Sequence, residues 1–176
     1  MPEAAKTMPV DGAMQNCRYE RYAPKPWRLF KETFEPMTPA KRVRYLLAWL
    51  GGAFVFYMRR GDEALAYCVL ERGGIRYPFL SKRDFVVSPY IVRPDLRGRG
   101  IGGKFLSDLR TSLLAGIENG GDIYAMVRKS NVPSRKAMEK AGFSLFAHAS
   151  NTGLLHVYRL TDDAQSEYDV YKASRT

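Results

Sequence analysis

The sequence predicts an α/β fold in which strands and helices mix within one domain. Three observations predict it. The chain has 176 residues, 45% apolar and 26% charged, which is enough to build a real hydrophobic core and is ordinary for a globular protein. After Gly51-Gly52 the pattern changes from helical spacing to β-branched and aromatic runs. The middle third then reads in β-α-β-α order.

Met1 to about Asn16 is polar and reads as a loose N-terminal arm. Pro24 and Pro26 break the chain, and Pro26 suits the first turn of a helix over Trp27–Phe34. Thr38-Pro39 starts a second helix, running to about Leu50, whose Val43, Leu46, Leu47 and Leu50 follow helical spacing. Ala53–Met58 and Ala64–Glu71 are strands joined by the turn Arg60-Gly61-Asp62, hence a hairpin. Phe85–Val92 is a third strand. Pro89 inside it removes a ladder donor, so the strand must bulge or lose pairing there. A glycine turn leads into a helix from about Gly100 to Glu118, with Phe105, Leu109 and Leu113 along one stripe. Asn119-Gly120-Gly121 ends it. Asp122–Val127 is a strand and Pro133–Ala141 a short helix stopped by Gly142. Phe143–His148 and Leu154–Leu160 form a closing hairpin around Asn151-Thr152-Gly153. The domain thus spans 17–161, and Asp162–Thr176 reads as a polar tail.

Lys and Arg outnumber Asp and Glu by 28 to 18, a formal charge of +10. That favours a polyanionic partner: nucleic acid, an acidic membrane surface or a phosphate-rich cofactor. The aromatic and cationic residues fall into no known nucleic-acid recognition module, so nucleic acid is not the expected partner. Cys17 and Cys68 match no metal or redox spacing and are expected as reduced thiols. Met1–Gln15 lacks the apolar core of a secretory signal, and Tyr45–Met58 is too short to span a membrane. A cytoplasmic protein without membrane contact, either monomer or homodimer, is expected.

Arg97-Gly98-Arg99-Gly100-Ile101-Gly102-Gly103-Lys104 fits three phosphate motifs. Gly98 to Lys104 matches G-x-x-x-x-G-K, but a nucleotide-hydrolysing loop then needs Ser or Thr for magnesium, and residue 105 is Phe. Gly98, Gly100 and Gly103 match G-x-G-x-x-G. A dinucleotide fold needs those glycines directly after the strand and an acidic residue ending the next one. Here Arg93–Arg97 intervene and the next strand ends at Val127-Arg128. The third reading is Arg97-x-x-Gly100-x-Gly102 after a strand and Val92-x-Pro94. Glycines let several backbone N–H groups face one anion at a helix start, and Arg97 and Arg99 add positive charge.

The stretch Tyr90–Gly102 resembles the pyrophosphate motif of the GNAT superfamily, the acyl-CoA-dependent N-acyltransferases. A second match, Asn131-Val132-Pro133-Ser134 followed by Glu139-Lys140-Ala141-Gly142-Phe143, is similar to that family's Asn-led helix closed by Gly-Phe. The resemblance covers about Ala53 to Leu160. It implies a central, mostly antiparallel twisted sheet of about six to seven strands with a splayed parallel pair, flanked by about four helices. It also implies acetyl-CoA as cofactor, with the pantetheine arm against main-chain groups of Tyr90, Ile91 and Val92. Arg97, Gly98, Arg99, Gly100, Ile101, Gly102 and Gly103 would hold the pyrophosphate, and Asn131 and Ser134 would sit beside the pantetheine and adenosine. The acceptor would be a small-molecule or peptide primary amine that attacks the thioester directly.

The chain departs from the family at two places. Met138 stands where many members carry a Tyr as acid, and Met126 where some carry a Glu as base. Glu71, Asp84, His148, His156 and Tyr158 are the possible substitutes, with Tyr158, His156 and Glu71 taken as the catalytic candidates. Tyr158 is expected to share a strand face with His156, and the two histidines could be neighbours. Two histidines alone do not make a zinc site, and no metal is expected.

Overall fold

The computed structural model describes residues 17–22, 34, 36–116, 121–152 and 156–173. In chain order these form β1 (Cys17–Tyr22), α1 (Pro39–Leu50), β2 (Phe54–Arg60), β3 (Glu63–Arg72), β4 (Phe85–Val92), α2 (Ile101–Gly116), β5 (Ile123–Arg128), α3 (Val132–Lys140), β6 (Ser144–Thr152), β7 (Val157–Leu160) and β8 (Tyr168–Ala173). Short 3-10 turns cover Pro94–Leu96 and Asp163–Gln165. The fold is α/β, as expected. The strands make one sheet in the order β1-β2-β3-β4-β5-β8-β6-β7. Every neighbouring pair is antiparallel except β4–β5, which is parallel.

Two strands lie outside the six anticipated from the pattern. β1 pairs with β2 from Cys17↔Arg60 to Tyr22↔Val55. Within the expected polar tail, Tyr168–Ala173 forms β8, inserted between β5 and β6. Its charged residues are matched there: Asp169 pairs with Arg135 at 3.0 Å, and Lys172 with Asp122 at 2.8 Å. The N-terminal arm and nearly all of the helix expected over Trp27–Phe34 lie outside the described residues.

The hairpin β2–β3 turns through Gly61-Asp62. α1 starts as read, with Pro39 in its first turn and the Thr38 side chain accepting from the Lys41 N–H at 3.3 Å. Its buried residues are Tyr45 and Ala48, however, whereas Val43, Leu46, Leu47 and Leu50 are exposed. The helix packs through the narrower stripe onto the cluster around Val55, Tyr57, Tyr67 and Val69. The same stripe turns Arg44 toward β4, where its Nη2 donates to the Ser88 hydroxyl.

α2 covers the main core with Phe105, Leu106, Leu109 and Leu113, all buried. Phe105 stacks on Tyr90 at 6.2 Å and lies 5.9 Å from Phe56. The residue that rules out magnesium chemistry at the glycine turn is thus a central core side chain. Phe105→Ala is expected to cost about 3–5 kcal/mol through lost transfer energy and a cavity, measured as a lower urea midpoint at unchanged slope. Cys68 is buried in this core, where burial pushes its thiol well above the usual range.

Candidate functional site

β4 and β5 pair over three residues only, Phe85↔Ile123 to Val87↔Ala125, and then diverge. The cause lies in β4. Across from β3, Leu70 faces Val87 and Cys68 faces Tyr90, so Ser88 and Pro89 oppose the single residue Val69. This is the β-bulge that Pro89 led the sequence to predict, since proline brings no N–H to a ladder. Beyond it, the Arg93 N–H donates to Leu65 O at 2.9 Å, toward β3. Backbone groups alternate sides along a strand. The N–H and C=O of Val92, and those of Tyr90, therefore point the other way, into the gap. Val92 O accepts there from Arg97 Nε at 3.2 Å.

The chain next passes through Pro94–Leu96 and the glycine turn. Gly98 and Gly100 have φ of +76° and +75°, a left-handed backbone that favours glycine. Gly102 serves a different need: a Cβ there would fall on the Tyr90 hydroxyl. The Lys104 N–H is the first to bond back along the helix, to Gly100 O at 3.2 Å. The N–H groups of Ile101, Gly102 and Gly103 thus open the helix without helical partners, and its first turn holds no acidic residue. Such an end attracts an anion.

The facing wall is α3. Its N-cap Asn131 accepts from the Ser134 N–H at 3.2 Å. Between these elements lies a groove of about 600 Å³. Tyr90, Ile91, Val92, Arg97, Gly98, Gly100, Gly102, Gly103, Asn131 and Ser134 all line it, together with Lys136 and Lys140. Arg99 does not line it, and the Ile101 side chain is turned into the core. Burial pushes the Tyr90 phenol up to about 12, so it stays protonated at neutral pH. Asn131→Ala removes a cap and is expected to cost about 1 kcal/mol, read from thermal melting.

A second, smaller cavity of about 190 Å³ shares Tyr90, Asn131 and Ser134 with the groove and extends along the gap between β4 and β5. Met126 and Met138 line it, with Arg44, Ser88, Arg128 and Tyr158. Tyr158 therefore reaches this end, and its ring is held on both sides. It stacks on Tyr77 at 5.3 Å and meets Tyr168 edge-on at 5.2 Å. Burial raises its phenol above the usual range, against the pull of Arg44 and Arg76.

The other two catalytic candidates stand apart from both cavities. Glu71 is buried and ion-paired to Arg76, with burial pushing its carboxyl up and Arg76 pulling it down. His156 is exposed in the β6–β7 turn at φ +49°, bonded through Nδ1 to the Asn151 side chain at 2.7 Å. That turn interrupts the strand, so His156 and Tyr158 do not share a face of β7. His148 is elsewhere again, 2.9 Å from Asp169 and 3.4 Å from Asp163. These three groups lie within 4.8 Å of one another. Lys129 and Arg135 already pair with the two carboxylates, which makes this an ion-pair network between β6, β8 and the start of α3. Asp84 is a structural cap: its carboxylate accepts from the N–H groups of Ser81 and Asp122 at 2.8 and 2.9 Å.

Arg44 escaped the sequence reading. The only signal was its spacing: Lys41, Arg44, Tyr45 and Ala48 recur every three or four residues, on the stripe that turns inward.

Comparison with known proteins follows this geometry. Among solved structures, a Bacillus subtilis acetyltransferase in complex with CoA aligns at TM-score 0.60 and 14% identity, covering 91% of this chain and 99% of that one. The Campylobacter jejuni N-acetyltransferase PseH in complex with acetyl coenzyme A aligns at 0.59 and 10%, covering 91% and 99%. The aminoglycoside acetyltransferase AAC(6')-Ib in complex with ribostamycin and coenzyme A aligns at 0.63 and 14%, covering 89% and 93%. At these identities the likeness is one of fold. No curated protein matches the sequence. Among the described residues, no helix is long and apolar enough to cross a membrane. The sequence model of the acetyltransferase (GNAT) family matches residues 23–143, well over half of the chain, and the protein belongs to that family.

Proposed function

We propose that the protein transfers an acetyl group from acetyl-CoA to a primary amine, a small molecule or a peptide, by direct attack within a ternary complex. The observation that carries this reading is the convergence of a strand gap, a glycine turn at a helix start and an Asn-capped helix on one groove of about 600 Å³. The groove fits the cofactor's chemistry. The partnerless N–H groups of Ile101–Gly103, with Arg97, suit a pyrophosphate. The inward N–H and C=O of Tyr90 suit an amide-bearing chain lying in the gap. When bound, acetyl-CoA supplies the activated acetyl group as a thioester. The solved relatives carrying CoA or acetyl-CoA support the assignment.

Residues of the groove and of the second cavity then have these parts. The Val92 N–H faces the gap and would stabilise negative charge on the acyl oxygen. Tyr158 keeps its proton at neutral pH and would give it to the departing sulfur as the carbon–nitrogen bond forms and the carbon–sulfur bond breaks. The attacking nitrogen must lose a proton, and at pH 7 only about one free alkylamine in a thousand is neutral. Arg128 disfavours an ammonium ion beside it; the ammonium form gives one proton to water before attack, and the nitrogen gives a second to water once the carbon–nitrogen bond has formed.

Free-thiol release from acetyl-CoA over a panel of amines tests the proposal. Amine-dependent release supports it; tight acetyl-CoA binding with no amine-stimulated release sinks it. That second outcome would favour an acyl-CoA-binding sensor, a reading kept open by Met126 and Met138, which line the reacting end without acid or base.

A further inference from the structure

We infer that the amine acceptor carries an anionic group, a carboxylate or a phosphate, and that Arg44 recognises it. The inference rests on the transferase reading and deepens it. The second cavity is lined by two guanidinium groups, Arg44 from α1 and Arg128 from the end of β5. Among the described residues, no Asp or Glu lines this cavity or the groove joined to it. Arg128 is exposed and Arg44 half-buried, and a cation withdrawn from water, as Arg44 partly is, normally carries a paired anion.

Among the described residues, Arg44 lacks that pairing. It donates to the neutral Ser88 hydroxyl through Nη2 at 2.7 Å, and its Nε is buried with no hydrogen-bond partner. Glu71, whose carboxyl feels the Arg44 charge, is already paired with Arg76. Arg128 rests over the Tyr168 ring at 5.5 Å, which leaves its donors unclaimed by any carboxylate among the described residues. The remaining polar lining groups, Ser88, Tyr90, Asn131, Ser134 and Tyr158, are neutral.

A planar guanidinium whose donors meet no carboxylate among the described residues matches a carboxylate or phosphate in geometry as well as charge. The same cavity repels an acceptor with several ammonium groups. The aminoglycoside seen in one relative is therefore not the expected kind of substrate here, although the fold is shared.

The test uses matched acceptors whose anion is separated from the amine: 3-aminopropanol against β-alanine, and ethanolamine against O-phosphoethanolamine. 1,3-Diaminopropane and kanamycin serve as polycations. Thiol release gives kcat/KM for the wild type, Arg44→Gln and Arg44→Lys. The anionic member of one pair should be preferred by about 10- to 100-fold, the equilibrium equivalent of a charge-assisted hydrogen bond, mainly through KM. Which pair shows it separates carboxylate from phosphate. Arg44→Gln should bring the ratio toward one, and Arg44→Lys should keep part of it. Preference for the neutral amines or polycations overturns the inference. So does an equal loss on both members of a pair, which would put Arg44 on the reacting carbonyl instead. If Arg44→Gln fails to fold, Arg128→Gln tests the same field. If no amine releases thiol, the transferase reading has failed. Calorimetric binding of the same pairs to CoA-loaded protein then decides the charge preference: tighter binding of the anionic member upholds it, and equal binding overturns it.

Discussion

Gly100→Asp is expected to weaken acetyl-CoA binding by roughly 100-fold or more, since bringing like charges together costs several kcal/mol. Gly100 is the residue just before α2, and nothing lies within 4 Å of where its Cβ would be. An Asp side chain there fits sterically and puts a carboxylate among the N–H groups proposed to hold the phosphate. It also supplies a competing acceptor for those N–H groups. Its φ of +75° adds a backbone penalty of about 1–2 kcal/mol for a non-glycine residue. That should lower the melting temperature by only a few degrees in a chain of this size. Gly100→Ala is the control, carrying the backbone penalty without the charge. Calorimetric titration should show Ala close to wild type and Asp nearly silent. An Asp variant that binds as tightly as the parent would place the phosphate site elsewhere.

Tyr158→Phe is expected to lower kcat by about 10²–10⁴, the usual contribution of a positioned acid, while leaving acetyl-CoA affinity within about twofold of wild type. The phenylalanine keeps the stack on Tyr77 and the edge contact with Tyr168, so the fold should be preserved. The split between kcat and affinity is the informative part. A change confined to affinity would make Tyr158 a packing residue, and an unchanged kcat would leave protonation of the sulfur to water.

The sequence exposed those parts of the molecule that depend on backbone chemistry. Glycines at 98, 100 and 102 and the proline at 89 have few uses, so their order announced the tight turn before α2 and the bulge. The β2–β3 hairpin was legible for the same local reasons; the closing hairpin was legible only in part, since Ser144–Ala149 pairs with β8 and it is Ala149–Thr152, half of it read as turn, that pairs with β7. β8 was not legible, because Asp169 and Lys172 look like surface residues until their partners Arg135 and Asp122 arrive from distant segments. α1 was read as a helix but on the wrong face. Its long aliphatic residues dominate the pattern, yet Tyr45 and Ala48 make the buried contact. That rotation also hid Arg44. The catalytic candidates divided on tertiary grounds. Tyr158 is drawn to the cavity by an aromatic stack, Glu71 is consumed by Arg76, and His156 falls on a turn that breaks the alternation assumed for it.

The gap between β4 and β5 has one further consequence. A sheet normally leaves open hydrogen-bonding rows only at its outer strands, where another chain can pair with them. This sheet keeps such a row in its middle, at Tyr90 and Val92, walled by α2 and α3. With α2 and α3 on either side, it is not exposed for pairing with another chain as an outer strand is. An amide-containing ligand lying there acts as a short substitute strand. Its occupancy should then slow amide hydrogen exchange at Val92 and stabilise the sheet across its weakest join.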